Sequence, residues 1–311
     1  MIREAKATAW PARYSRITSE AMRQLIVNAD DFGFTRGVNA GIVRAFSAGI
    51  LTSTTIMANG PAFEDAVDLA LTNPSLPVGC HLSLVGGKPS APAHTVPSLI
   101  DAAGEMPATL TQLVVRLATG RVRVSDVERE FRAQIERVLV AGIKPDHLDT
   151  HKHTHIYPPV MRALAGIARE FSIKCVRNPF EGIRNARTGQ LARGRRIIYL
   201  KQRVTSIAIL PGIPQFRRIV AKHGLRTPDH FRGVSLTGIL EGAAIQDVMR
   251  SLPNGTTELM CHPGFYDADL DRARTRLKQE RQRELEALID PQVRNFSSKQ
   301  GISLVSYAQL R

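Results

Sequence analysis

The segment His147-Leu-Asp-Thr-His-Lys-His-Thr-His155 constrains this chain more than any other. Every odd position in it is a histidine or an aspartate, and Lys144-Pro145 leads into it. Alternate residues of an extended chain share one face. His147, Asp149 and His151 are therefore expected together at a strand end, with His153 and His155 just beyond. So many ionisable groups are costly in an apolar core, and a divalent cation is their better partner. The tract lies mid-chain and is interleaved with Leu148 and Asp149, which argues against a purification tag.

Other segments can supply further ligands. Arg23-Gln-Leu-Ile-Val-Asn-Ala-Asp-Asp-Phe-Gly33 is a strand-like apolar run ending in Asp30 and Asp31 before a glycine turn. Adjacent residues of a strand point to opposite sides. The two acids therefore have different jobs, one on a metal and one beside it as a base, unless the strand has already ended. Val78-Gly-Cys-His-Leu-Ser-Leu-Val85 carries His81, and Thr257-Glu-Leu-Met-Cys-His-Pro-Gly264 ends on His262. Taken alone, His81 reads as a hydrogen-bonded core residue, and Asp30-Asp31 as a loop or a helix cap. Together these residues mark successive strand ends, which is how β/α folds assemble active sites.

Strand-like runs recur near 23–29, 50–57, 78–85, 145–150, 173–178, 230–235, 256–261 and 302–306. Helical periodicity fills stretches between them, as in Gly37–Ala48, Val127–Leu139, Pro159–Glu170 and Arg272–Ile289. The alternation predicts an α/β fold with crossover helices. About seven to eight mostly parallel strands fit a distorted TIM-type β/α barrel, with an open doubly wound sheet as the alternative. Residues 1–21 have no clear periodicity and read as an extension without fold, with Met22 as the natural start. Residues 22–311 then form one barrel domain with a basic insertion at about 183–228.

At the residues quoted above the chain resembles the YdjC-like carbohydrate deacetylases. Ile26-Val-Asn-Ala-Asp-Asp-Phe-Gly33, Gly49-Ile-Leu-Thr-Ser-Thr-Thr55, Gly79-Cys-His-Leu82, Pro145-Asp-His-Leu-Asp-Thr-His151 and Met260-Cys-His-Pro263 carry the resemblance, in order and spacing. Within the family it is most similar to the branch associated with hopanoid biosynthesis. The residues behind that likeness are Val38-Asn-Ala-Gly41, Asn59-Gly-Pro-Ala-Phe63, the basic stretch after Arg184, and Leu252-Pro-Asn-Gly-Thr-Thr-Glu258. The resemblance implies metal ligation by Asp31, His81 and His151, with His155 as the rival third ligand. It implies Asp30 as proton acceptor and His262 as proton donor. His153 and His155 are expected to contact substrate or to orient His151. Arg177, near another strand end, is expected to bind substrate, with pairing to Glu181 as its bland alternative. The family usually reads Asp-Ser-His where Asp149-Thr-His151 stands here; threonine keeps the hydroxyl.

The implied reaction is hydrolysis of a linear amide, the N-acetyl group of an amino sugar, on a hopanoid-type glycolipid. The alternatives are a soluble chitooligosaccharide deacetylase and a catalytically silent carbohydrate- or lipid-binding barrel. The implied cofactor is one divalent metal ion, Mg²⁺ or Zn²⁺. Such an ion lowers the pKa of bound water from about 15.7 toward about 7 and polarises the carbonyl.

From Ile183 to Pro228 there is no acidic residue but eleven Lys or Arg, the main source of the formal net charge of +14. Mixed with Ile197-Ile-Tyr-Leu200 and Val204–Ile213, they suit peripheral contact with an anionic membrane; a solvated insertion is the plainer reading. The apolar piece is too short and too charged to span a bilayer. No aromatic stacking platform accompanies the charge, so no nucleic-acid partner is expected. The oligomeric state is left open, with a homodimer as one form. Cys80, Cys175 and Cys261 form no CxxC pair and suit a reducing cytoplasm, with peripheral location at the inner face of the membrane. Residues 86–126 contain four prolines and read as a lid or a packing excursion. Arg272–Glu286 reads as a solvated outer helix face with i,i+4 charge pairs.

Overall fold

The computed structural model describes residues 23–182 and 193–310. The expected extension 1–21, the Met22 start, and residues 183–192 of the basic stretch lie outside the described residues. The strands are β1 (Arg23–Phe32), β2 (Ser53–Ile56), β3 (Val78–Leu82), β4 (His147–Thr150), β5 (Cys175–Val176), β6 (His230–Arg232), β7 (Gly255–Cys261) and β8 (Ser303–Leu304). Helix α1 (Arg36–Ala48) joins β1 to β2, and α2 (Phe63–Thr72) joins β2 to β3. Helices α3 (Leu110–Ala118) and α4 (Val124–Val140) lead to β4, and α5 (Pro158–Glu170) leads to β5. Then come α6 (Arg193–Ala208) and α7 (Ile213–Lys222) before β6, and α8 (Gly242–Arg250) before β7. Helices α9 (Ala268–Arg272), α10 (Gln279–Ile289) and α11 (Pro291–Lys299) precede β8.

Among the described residues all neighbouring strands in the sheet pair in parallel, in the order β5-β4-β3-β2-β1-β7-β6, with β8 added on β1. Isolated parallel bridges join Cys175 to Arg226 and Glu181 to Phe231. They draw the chain around β5 toward β6, so the sheet curls into the distorted β/α barrel expected from the alternating pattern. β1 is central, and Leu25, Ile26, Val27 and Ala29 are wholly buried. That explains its near-continuous apolar run, since a parallel strand is covered on both faces.

Local chemistry sets the helix starts. The Thr35 side chain accepts from the Val38 N–H and caps α1. Proline stands at the start of α5, where a missing N–H costs nothing. Gly41 lets α1 approach the loop after β7: a Cβ there would sit 2.5 Å from Gly264 Cα. That contact seats the loop carrying His262.

Two expectations change. Residues 86–126 are not a bare loop: they carry α3 and the start of α4. The Arg272–Glu286 face is not simply solvated. The helix breaks after α9, and on α10 Arg281, Glu284, Leu285 and Leu288 are buried. The three cysteines are buried as free thiols, Cys80 and Cys261 packed in the core.

Candidate active site

β1 does not end as a regular strand. Its register with β2 shifts between Ala29 and Phe32, and Asp31 has a φ of 70°. Left-handed backbone costs a non-glycine residue about 1–2 kcal/mol, least for Asn and Asp. A bulge re-aims side chains. Here it lets consecutive acids face one cavity, and Asp30 and Asp31 both line it. The Asp31 carbonyl accepts the Phe34 N–H and closes the turn.

His81 and Asp149 are direct partners in the β3–β4 register. Neighbours in register point the same way, and His81 Nδ1 lies 2.7 Å from Asp149 Oδ1. The carboxylate accepts the Nδ1 hydrogen and fixes the ring, so Nε2 is the nitrogen left for a cation, which would displace the proton there. That Nε2 is 3.5 Å from Asp31 Oδ1 and 3.3 Å from His151 Nδ1. His151 Nδ1 is 3.1 Å from the same Asp31 oxygen. Burial opposes charge on His81, but Asp149 and Asp30 outweigh it and lift the ring to about 10.

Beneath this group lies Arg177, wholly buried. Its two terminal nitrogens grip both oxygens of Asp30 at 2.7 and 2.6 Å. Nη1 is also 2.7 Å from Asp149, and Nε donates to Glu258 at 2.8 Å. Burial works against the Arg177 charge, yet Asp149, Asp30 and Glu258 hold its pKa well above the ordinary range. Tyr307 donates its hydroxyl to Glu258 and stacks on His147 at 3.6 Å.

The cavity's other wall comes from β7 and α10. Arg281 donates from Nη2 to Asp31 Oδ2 at 2.5 Å. Burial raises the Asp31 pKa, but Arg281, His151 and His81 together bring it well below the usual carboxylate range. Glu284 accepts the His262 N–H at 2.6 Å and the Gly238 N–H at 3.0 Å. Burial pushes Glu284 up to about 7. Burial takes His262 down to about 4, against the pull of Asp30 and Asp31. His262 Nδ1 lies 4.0 Å from Glu284 Oε2.

Asp30, Asp31, His81, His151, His153 and His262 therefore meet at one cavity of about 640 Å³. Two expected substrate contacts fall elsewhere. Arg177 lies under the site with its guanidinium engaged by carboxylates, and Glu181 instead binds Ser235. His155 is buried against Thr150 and the Arg177 carbonyl, and burial lowers it to about 4. The reason is backbone: β4 stops at Thr150, and Lys152 and His153 turn left-handed. Strand alternation fails after His151. His147, at the opposite end of β4 and stacked on Tyr307, is not at the cavity either.

Arg281 and Glu284 were missed in the sequence, as was the pairing of Asp149 and Glu258 with Arg177. A signal existed for the first two. Leu285 and Leu288 mark the inward face of α10, and Arg281 and Glu284 each stand four residues earlier on it.

The residues fit a divalent cation. Asp31 Oδ1 is buried without a hydrogen-bond partner, and it faces two imidazole nitrogens. One carboxylate and two histidines suit Zn²⁺ and tolerate harder ions. The other acid–histidine trio, Asp30, His81 and Asp149, already has Arg177 as its cation.

Comparison with known proteins agrees in sequence and fold. The family described as YdjC-like protein matches residues 24–299. The chain is 34% identical to a carbohydrate deacetylase of Geobacillus stearothermophilus, over 92% of this chain and 98% of that protein. It is 33% identical to a carbohydrate deacetylase of Brevibacillus brevis, over 92% and 99%. A crystal structure of an Enterococcus faecalis protein named for cellobiose-phosphate cleavage aligns with TM-score 0.74 at 27% identity, covering 92% of this chain and 98% of that one.

Proposed function

The chain belongs to the YdjC-like family, and on that premise we propose that it hydrolyses the N-acetyl amide of an amino sugar with a divalent metal ion. The convergence of Asp31 Oδ1, His81 Nε2 and His151 Nδ1 carries the reading, with Asp30 and His262 lining the same cavity. The names of the relatives supply the substrate class.

Asp31, His81 and His151 would hold the ion, Zn²⁺ or Mg²⁺, which supplies Lewis acidity toward water and the amide carbonyl. Asp30, clamped by Arg177, takes a proton from the attacking water as its oxygen bonds to the carbonyl carbon. The C–N bond breaks as the nitrogen receives a proton, so that an amine leaves beside acetate. His262 delivers that proton. Burial holds its ring neutral at rest, so it takes up a proton before giving one to the nitrogen. Asp30 returns its proton to solvent. Arg281 Nε and Nη1 have no hydrogen-bond partner and are free to steady the developing oxyanion or the departing carboxylate.

The finer reading is a lipid-linked N-acetylamino sugar of the hopanoid type, met at the cytoplasmic face of a membrane. A soluble chitooligosaccharide is the second reading. It is favoured by a neighbouring cavity of about 770 Å³ that shares Phe34 and His151 with the first and has room for another sugar. Acetate release from an N-acetylglucosaminyl lipid and from chitobiose, before and after chelation and metal return, tests both. No acetate from either substrate with Zn²⁺ or Mg²⁺ restored would overturn the proposal.

A further inference from the structure

α6 is amphipathic the wrong way round for a helix that only packs. Its inward face is Tyr199, Arg203 and Ser206, all buried. Its outward face carries Ile197, Leu200, Val204 and Ile207, which are 53, 60, 69 and 46% exposed. They recur at i, i+3, i+7 and i+10, a single stripe along the helix. At about 100° per residue, Arg196 and Lys201 border the stripe on opposite sides, and both are exposed. The helix holds five basic residues and no acid. α7 adds exposed Arg217, Arg218 and Lys222.

Another side of the same helix borders the site. Gln202, Thr205 and Ile209, from the flank of α6 and just beyond it, line the active-site cavity. Across the cavity, Leu110 and Val114 of α3 line it too, and they are 36 and 41% exposed. The exposed apolar residues at the cavity are thus those of α3, while α6 lines it with Gln202 and Thr205 and turns its stripe to solvent. No helix among the described residues is long and apolar enough to cross a membrane.

We propose that the α6 stripe docks on an anionic lipid bilayer. Exposed aliphatic side chains between basic ones are the pattern of a helix lying in the headgroup region. The sign of charge chooses the occupant. A second copy of the same helix would set Arg196 and Lys201 against like charges, whereas acidic headgroups oppose them. That the sugar substrate sits in the same bilayer rests on the reaction proposed above; the docking does not.

The test uses the full chain without any sugar. Co-sedimentation is measured with vesicles of phosphatidylcholine alone and of phosphatidylcholine mixed with phosphatidylglycerol. Binding is expected only with the anionic vesicles, and weaker as salt rises. The double variant Leu200→Gln, Val204→Gln should bind roughly tenfold less, because it removes apolar area from the interface. Its acetate release from chitobiose should match the parent, since neither side chain lines the cavity. Equal binding to both vesicle types overturns the proposal, as does undiminished binding by the variant. A dimer that the variant breaks, with no vesicle binding in the parent, assigns the stripe to a second copy and also overturns it.

Discussion

Arg177 and Arg281 are both buried, and each grips one acid of the same dipeptide, Asp30 or Asp31. Their surroundings differ. Arg177 is enclosed by three carboxylates, and each nitrogen of its guanidinium meets at least one. Arg281 meets one carboxylate oxygen and leaves two nitrogens without hydrogen-bond partners, as are Asp31 Oδ1 and His262 Nδ1, whose residues line the same cavity. A satisfied buried network rigidifies a fold. Unsatisfied buried polar atoms mark where a ligand is awaited. The floor of the site is scaffold, and the wall is equipment.

Four measurements can break or sharpen that contrast. The largest effect is expected from Asp30→Asn, which keeps the shape and removes the proton acceptor. Acetate release should fall about 10²–10⁴-fold while circular dichroism stays native. Activity near the parent level would leave Asp30 a member of the Arg177 network and nothing more. Next, Arg177→Met strands Asp30, Asp149 and Glu258 without their cation. Removing one partner of a buried ionic group costs about 3–5 kcal/mol, read from the urea midpoint. A smaller loss than that of Arg281→Met would reverse the contrast.

Arg281→Gln should leave folding nearly intact and weaken metal binding about 10–100-fold, as changes beside a metal ligand do. Isothermal titration with Zn²⁺ reads it directly, and unchanged affinity would leave Arg281 no part in the metal centre. The smallest effect concerns pH. Burial raises Glu284 from 4.5 to about 7, so the folded chain holds that proton more tightly than the unfolded one. Its stabilisation is full below about pH 4.5 and is lost as pH rises through 7. His262, lowered to about 4, acts oppositely and loses stability as pH falls from 6.5. Glu284→Gln should therefore remove a decline in stability between pH 5 and 7.5 that the parent shows. Identical pH slopes in the two chains would contradict the buried, protonated Glu284.

Much of the architecture was legible because the expected strand runs carried β-type apolar residues, several of them with a polar signal at or near the end. All eight runs contain a strand, although β5 and β8 are only two residues long. Asp30, Asp31, His81, His151 and His262 were legible as a set because strand ends gather in a β/α barrel. Period-two reasoning broke down at His153 and His155, where two left-handed residues reset the direction of the chain. It also gave no warning that adjacent acids would share a cavity, because a bulge cannot be read from side-chain alternation. Arg177 was misjudged because a sequence does not list the carboxylates that will surround a strand-end arginine. Arg281 and Glu284 were hidden in a helix whose charged composition looks like an outer surface.

The backbone of Asp31 has a practical consequence. Asparagine tolerates the same left-handed geometry and nearly the same outline, whereas leucine or glutamate would force the turn to reform. Asp31→Asn is therefore an almost isosteric knockout of one formal charge, and a crystal of that variant soaked with cation would separate what the electric field does from what the shape does.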